Sequence, residues 1–511
     1  MTFAPPNGTV ATPDRVLEKA ALFDNARRAA AGFRALGLGP GSAVAMVLRN
    51  DIPFLETVLA ANWAGAYIVP VNWHLRGAEV GAILADCGAD VLVVHADLLA
   101  EIQPFVPDKA RILAVEPSPS MIAAYRIADE AARAPDGLDR WDDWLEGFDP
   151  AAGPPAGRFS MIYTSGTTAQ PKGVTRESTG AEAIERGSAM MADAFGQWSG
   201  MNAVMTGPMY HSATFAYSSG CLALDGDLFL MPRFDAEGLL RTIEQRKAEA
   251  MHMVPTMFSR LLRLPEEVRE QYDVSSLKYV IHGAAPCPPG VKRAMIDWWG
   301  PVIHEYYGST EAAIVSVASS EEWLARPGTV GRPRETTPVQ VRGADGAILP
   351  PGQEGELYMQ LNAAFGFTYR NRPELDEGTR GGAWFTNGDI GYRDEDGYLY
   401  LCDRRKDMII SGGVNIYPSE IEGVIGDHPA VRDCAVFGIP DEEFGEAVAA
   451  AVELSGEATG EAIRAHVAGR LARYKVPRIV TFHDALPRED SGKIFKRHLR
   501  DPYWAGKDRR I

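Results

Sequence analysis

The twelve residues Tyr163–Val174, YTSGTTAQPKGV, hold one tyrosine, four hydroxyl residues, two glycines, a proline and a lysine. They continue the apolar run FSMIY, so a strand delivers the chain into a loop. There glycines permit close backbone approach, hydroxyls can donate to phosphate oxygens and Lys172 supplies charge. A P-loop would end in Gly-Lys-Ser/Thr at the start of a helix, whereas Lys172 is preceded by Pro171 and followed by Gly173 and Val174. A Walker-type nucleotidase is therefore a poor fit. On its residues alone the stretch is either a polyphosphate cradle or a polar surface loop.

Upstream, the helical pattern RVLEKAALFDNARRAAAGFRALGL precedes the short apolar run SAVAMVL, and helical PFLETVLAANWAGA precedes YIVPVN. Further runs DVLVVHA, RILAVE, MNAVMTG and KYVIHGA continue the alternation, which predicts repeated β–α units and a largely parallel sheet. From about residue 330 to 402, strand alternation broken by Gly, Pro and Asp-Gly turns predicts a small antiparallel, barrel-like subdomain. After DRRKD, roughly a hundred residues (407–511) with their own apolar periodicity read as a C-terminal domain, the N-terminal domain ending at 402.

Four separated stretches, in one order, identify the family. YTSGTTAQPKG, HEYYGSTEA (His304–Ala312), TNGDIGYRDEDGYLYLCDRRKDMIISGGVNIYPSEIE (Thr386–Glu422) and LPREDSGKIFKR (Leu486–Arg497) resemble the motifs of the adenylate-forming superfamily. That superfamily comprises acyl-CoA synthetases, luciferases and the adenylation domains of nonribosomal peptide synthetases. The resemblance implies an α/β fold: a large N-terminal domain of stacked mixed sheets with helices, the barrel-like subdomain, a hinge at 403–406 and a small mobile α+β C-terminal domain. It also implies two half-reactions. A carboxylate attacks the α-phosphate of ATP to give acyl-adenylate and pyrophosphate, and a thiol, usually that of coenzyme A, then displaces AMP.

Carried onto this chain, the resemblance places Thr164, Ser165, Gly166, Thr167, Thr168 and Lys172 at the β- and γ-phosphates, and adenine against Tyr307 and Gly308. Thr310 falls near a phosphate and Glu311 at Mg²⁺, a hard ion that takes few protein carboxylates. Asp389 would accept from both ribose hydroxyls and Arg404 would add a second ribose contact; Gly283, Ala284 and Ala285 would line the adenine and acyl pockets, or simply pack. Asn387 and Asp403 depart from the family's usual Thr and Gly. Lys493 would stand between the carboxylate and the α-phosphate, where an ammonium offsets the repulsion of two anions. Lys406 falls at the pivot. Ser411, Gly412 and Gly413 would face the site after rotation, with Phe444 and Tyr474 flanking the pantetheine tunnel, although aromatics at such spacing are as often core. His211 would line the acyl channel rather than merely pack, and Phe215 and Ser218, on a stretch mixing aromatic and small residues, would border a roomy apolar acyl pocket.

The formal net charge of -17 disfavours nucleic acid and anionic membranes. Against that stands a basic C-terminal run, Arg470, Arg473, Lys475, Arg478, Lys493, Lys496, Arg497 and Arg500, which is either a solvated face or a site for an anion such as the CoA nucleotide. No apolar run is long enough for an integral membrane segment, no signal-peptide pattern is present, and five scattered cysteines argue against structural zinc or disulfides; a cytoplasmic enzyme is expected. Residues 1–12 are a candidate for self-association as a homodimer. The expected function is an ATP-, Mg²⁺- and CoA-dependent acyl-CoA ligase acting on a fatty or bulky ring-bearing acid. The alternatives are an enzyme loading a carrier protein in trans, luciferase-like monooxygenation, and a catalytically silent nucleotide-binding regulator.

Overall fold

The predicted strands fall into four sheets in the computed structural model, which describes residues 5–150, 157–164, 172–179, 181–361, 366–375, 380–381, 383–404, 407–411, 414–441, 443–488 and 494–505. Among these residues a nine-stranded sheet is built around the parallel strands Met201–Met205, Gly226–Leu230, Ala250–Met253, Tyr279–His282 and Ile303–Ser309. An eight-stranded sheet is built around parallel Ala43–Val47, Tyr67–Pro70, Val91–His95 and Arg111–Val115. The runs SAVAMVL, YIVPVN, DVLVVHA and RILAVE thus become neighbouring strands, buried on both faces as continuous apolar runs should be.

One core cluster contains residues of both sheets (Val44, Met46, Val91; Met205, Ile281, Tyr306) and of the helices Lys19–Ala35, Ile52–Ala64 and Ser212–Ala223. Helix Ile52–Ala64 is buried nearly all round, which explains a sequence without a polar face. Its ends are written locally: Asp51 accepts from the Ile52 amide at 2.8 Å, Pro53 sits in the first turn, and Gly65 closes the helix at φ 80°.

The two ends of YTSGTTAQPKGV lie in an antiparallel pair, Gly157–Thr164 with Lys172–Thr179, in register from Gly157↔Thr179 to Thr164↔Lys172. Lys172–Thr179 is therefore a returning strand that adds an antiparallel member to the largely parallel sheet. The antiparallel subdomain expected at about 330–402 draws its strands, among the described residues, from Val339–Arg342 to Leu399–Arg404. Arg332–Pro333 instead joins the nine-stranded sheet, and Thr368–Tyr369 leaves to pair with the return strand of the hairpin.

Beyond residue 407 the long antiparallel pair Val431–Asp441 and Gly445–Leu454 is joined by parallel Ile479–His483 and covered by helices Pro418–Gly426 and Gly460–Ala468. Ile409, Ile421, Ile425, Val436, Val448, Ile463 and Val467 give this unit its own core.

Candidate active site

The hairpin brings Thr164 and Lys172 opposite one another at the mouth of the loop, both facing a large crevice. Ser165, Gly166, Thr167 and Thr168 lie outside the described residues. Tyr163, the first residue of the motif, anchors the hairpin: its hydroxyl donates to Asp86 at 2.6 Å, and burial together with this carboxylate pushes the phenol up. The Lys172 ammonium stands 5.7 Å from the Tyr369 ring, a cation–π contact supplied by the strand that pairs here.

Across the crevice, Ile303–Ser309 presents alternate residues to opposite faces. Tyr306 joins the inter-sheet core and Tyr307 the core beneath the small antiparallel sheet. A tight turn follows, because a Cβ at Gly308 would lie 2.1 Å from the Ala313 carbonyl and Ala313 itself adopts φ 59°. The turn exposes Thr310 and Glu311, and both are held. The Thr310 hydroxyl is 3.0 Å from that of Ser212, Glu311 accepts from the Tyr369 hydroxyl at 3.0 Å, and Arg176 donates to both backbone carbonyls, at 2.6 and 2.7 Å.

Asp389 is 7% exposed and accepts from the Tyr307 hydroxyl at 2.7 Å, so the residue expected at the ribose and the residue expected at adenine are already joined. A carboxylate can accept several hydrogen bonds, from hydroxyls among others. Gly388 makes the turn at φ 80°, and the backbone of Arg404 pairs with that of Asp389 across the sheet. Asn387, the departure from Thr, lines the crevice beside Asp389.

Ala284 and Ala285 also face the crevice, Ala284 at φ 66°, a left-handed conformation that costs a residue with a Cβ roughly 1 kcal/mol. Gly283 lies too close for a side chain, since a Cβ there would come within 2.5 Å of the Tyr306 ring. Beneath this turn the fully buried Lys292 bonds Glu305 at 2.6 Å. Desolvation pushes the Glu305 carboxyl up and Lys292 opposes it, while burial holds His282 well below its usual value.

Another side of the crevice runs along helix Ser212–Ala223, with His211 immediately before its first turn. His211, Phe215, Ser219, Gly220 and Leu222 line the cavity, as do Phe195, His252 and Tyr306. Ser218 does not: it is buried with its hydroxyl on the Phe215 carbonyl, and the neighbouring Ser219 takes the place expected for it. His252, 1% exposed and 3.1 Å from the Tyr306 hydroxyl, is pushed down to about 3 by burial and is neutral at ordinary pH. The whole space measures about 2890 Å³ and runs from the apolar helices into the cleft before the C-terminal unit.

From that unit Tyr474 and the segment Ile494–Arg497 reach the crevice. Phe444 and Tyr474 are 50% and 52% exposed and pack in no core. Ser411 pairs with Gly445. Lys406, Gly412, Gly413 and Lys493 lie outside the described residues. Much of the basic run is already engaged by acids: Lys475 by Glu420, Arg478 by Asp441, Lys496 by Glu422 at 2.8 Å and Arg500 by Asp407 at 3.6 Å. Arg176, Tyr369 and Ser212 escaped the sequence reading. The one signal for Arg176 was its place on the Lys172–Val174 side of an alternating strand.

Asp389, Tyr307 and the Thr310–Glu311 turn thus border one crevice that is continuous with the space along helix Ser212–Ala223, the arrangement that the resemblance to adenylate-forming enzymes implies. A model of the AMP-binding enzyme matches residues 11–365 and one of the AMP-binding enzyme C-terminal domain matches residues 420–493. Feruloyl-CoA synthase of an Amycolatopsis species is 34% identical, over 95% of this chain and 93% of that enzyme. Long-chain-fatty-acid–CoA ligase FadD13 of Mycobacterium tuberculosis is also 34% identical, over 94% and 92%. Among solved structures, the amide bond synthetase McbA from Marinactinospora thermotolerans aligns with TM-score 0.83 and 26% identity over 98% of both chains. The chain belongs to the AMP-binding enzyme family. Among the described residues no helix is long and apolar enough to cross a membrane.

Proposed function

We propose that this acyl-CoA synthetase activates a hydrophobic carboxylic acid, fatty or ring-bearing, as its adenylate and transfers the acyl group to CoA. The observation that carries the reading is the continuity of the Lys172–Thr310–Asp389 crevice with the apolar cavity along Ser212–Ala223. A chain or ring lies against Phe215, Gly220 and Leu222 while its carboxylate meets the nucleotide near Thr310 and His211. The carboxylate oxygen bonds to the α-phosphorus, the bond to pyrophosphate breaks, and its electron pair leaves with pyrophosphate.

Lys172 and the hydroxyls of the loop steady the departing phosphates; Asp389 fixes the ribose and Tyr307 the base. Lys493 neutralises the two approaching anions. Among the described residues no three His, Cys, Asp or Glu cluster as a metal cage. Glu311 would hold Mg²⁺, a hard ion that takes few protein carboxylates. When bound, that ion offsets phosphate charge. In the second half the C-terminal unit turns about Lys406, presents Ser411–Gly413 with Phe444 and Tyr474 along the pantetheine arm, and sulfur displaces AMP from the acyl carbon.

The test is pyrophosphate release with ATP, Mg²⁺ and a panel of octanoate, palmitate, coumarate and a steroid acid, with and without CoA. Acid-dependent release without CoA, and an acyl-CoA product with it, are expected. Nucleotide binding with no release for any acid would overturn the reading in favour of a silent regulator.

A further inference from the structure

The return strand Lys172–Thr179 carries a charge that the reaction scheme has not used. Lys172, Val174 and Arg176 alternate onto one face of that strand. Val174 packs in the same core as Tyr307, Ala312 and Tyr369, so this face abuts the turn that displays Thr310 and Glu311. Arg176 reaches that turn from below. A single nitrogen, Nη2, donates to the Thr310 carbonyl at 2.6 Å and to the Glu311 carbonyl at 2.7 Å. Arg176 also lines the crevice, and its strand partner Ser160 does too.

We infer that Arg176 is a positioning residue for adenylation: it clamps the Thr310–Glu311 turn onto the return strand of the phosphate hairpin and so fixes the spacing between Lys172 and the two side chains that meet the α-phosphate and Mg²⁺. The inference rests on the function proposed above. Its physical basis is connectivity. Thr310 and Glu311 lie 138 and 139 residues beyond Lys172 in a different sheet, and among the described residues no backbone ladder joins the Thr310–Ala312 turn to the hairpin strand. The side chains supply what the backbone does not: Arg176 through two carbonyls, and Tyr369, whose own strand pairs with Lys172–Thr179, through Glu311.

Two carbonyls drawn to one cationic nitrogen are charge-assisted acceptors, stronger than neutral pairs. An arginine guanidinium stays charged at neutral pH. A lysine at this position keeps the charge but not the planar fork, and a methionine keeps only the volume.

The experiment compares Arg176→Lys and Arg176→Met with the unmodified chain in three measurements: acid-dependent ATP–pyrophosphate exchange, CoA acylation from supplied acyl-adenylate, and calorimetric binding of ATP with Mg²⁺ or with EDTA. Expected for Arg176→Met is an exchange rate lower by about a hundredfold, partly restored in Arg176→Lys to within about tenfold. CoA acylation from the adenylate should change by less than about threefold, and the gain in ATP affinity on adding Mg²⁺ should shrink several-fold. Equal losses in both half-reactions, or exchange within about threefold of the unmodified chain in Arg176→Met, would overturn the assignment. If the unmodified chain exchanged pyrophosphate with no acid, the parent reading would fail instead. The calorimetric arm would then decide on Arg176 alone: an unchanged Mg²⁺ effect in Arg176→Met would refute the clamp.

Discussion

The two halves of the crevice are built differently. On the N-terminal side the polar groups are preassembled: Tyr307 on Asp389, Tyr369 on Glu311 and Ser212 against Thr310 meet within 2.7 to 3.0 Å, and the Lys292–Glu305 pair lies beneath. On the C-terminal side Phe444 and Tyr474 stand half exposed, and the unit is held partly by polar contacts to its neighbour. Ser419 donates its amide to Asp403 at 3.0 Å, and Arg263 donates to the Arg432 carbonyl at 2.8 Å. A nucleotide site gains from fixed dipoles that need no reorganisation. On the function proposed above, a unit that turns between two half-reactions would gain from an interface of exchangeable polar bonds, which can break and re-form with little net change.

The contrast can be broken most severely at Lys292. Lys292→Met strands Glu305 as a buried, unpaired carboxylate and is expected to cost about 3–5 kcal/mol in urea unfolding, with much of it recovered when Glu305→Met is added. A loss under about 1 kcal/mol would mean that the N-terminal half is not the stiff partner. Next, Lys493→Gln should lower pyrophosphate exchange by about 10²–10³-fold and leave acylation from supplied adenylate nearly intact. Equal effects on the two rates would deny the C-terminal half its separate role.

His252 gives a pH dependence confined to the N-terminal half. Its folded value, pushed down to about 3, lies below the ordinary value of 6.5, so the unfolded chain binds the extra proton. The stability that His252 contributes is complete above about pH 6.5 and is lost as pH falls towards 3, with a slope of up to about 1.4 kcal/mol per pH unit. Acid titration of unfolding in His252→Phe should show a flatter slope over this range; an unchanged slope would remove His252 as the source. The smallest effect is expected at Asp403, which accepts from the first turn of helix Pro418–Gly426, a helix with no side-chain cap of its own. Asp403→Gly should loosen the present docking by about 1 kcal/mol, roughly a fivefold shift between domain arrangements, read by energy transfer between probes on the two units. No shift would mean that the interface is not tuned at the hinge.

Much of this was legible in the chain because it is local. Runs such as SAVAMVL and DVLVVHA became strands within a residue or two of their sequence limits, since periodicity and Gly or Pro punctuation act over a few positions. Asp389, Thr310, Glu311 and Lys172 were recognised through contiguous motifs, and all four line the same crevice. The segment after the phosphate loop was not legible. VTREST suits a strand as readily as a loop, and pairing with FSMIYT decides it. Ser218 and Ser219 differ by one step of helical rotation, which only the packing of Tyr217 and Phe215 resolves.

YTSGTTAQPKGV by itself determined that a strand would deliver hydroxyls, glycines and one lysine to a loop, because those properties reside in the residue types and their spacing. The tertiary structure alone decided that the strands on either side of it pair antiparallel, and that Arg176 and Tyr369 tie the second of them to a turn some 140 residues further on. Such ties depend on which sheets lie against one another. That choice is made by the shared burial of Val174, Tyr307, Ala312 and Tyr369, a sum over distant residues that no short stretch of sequence contains.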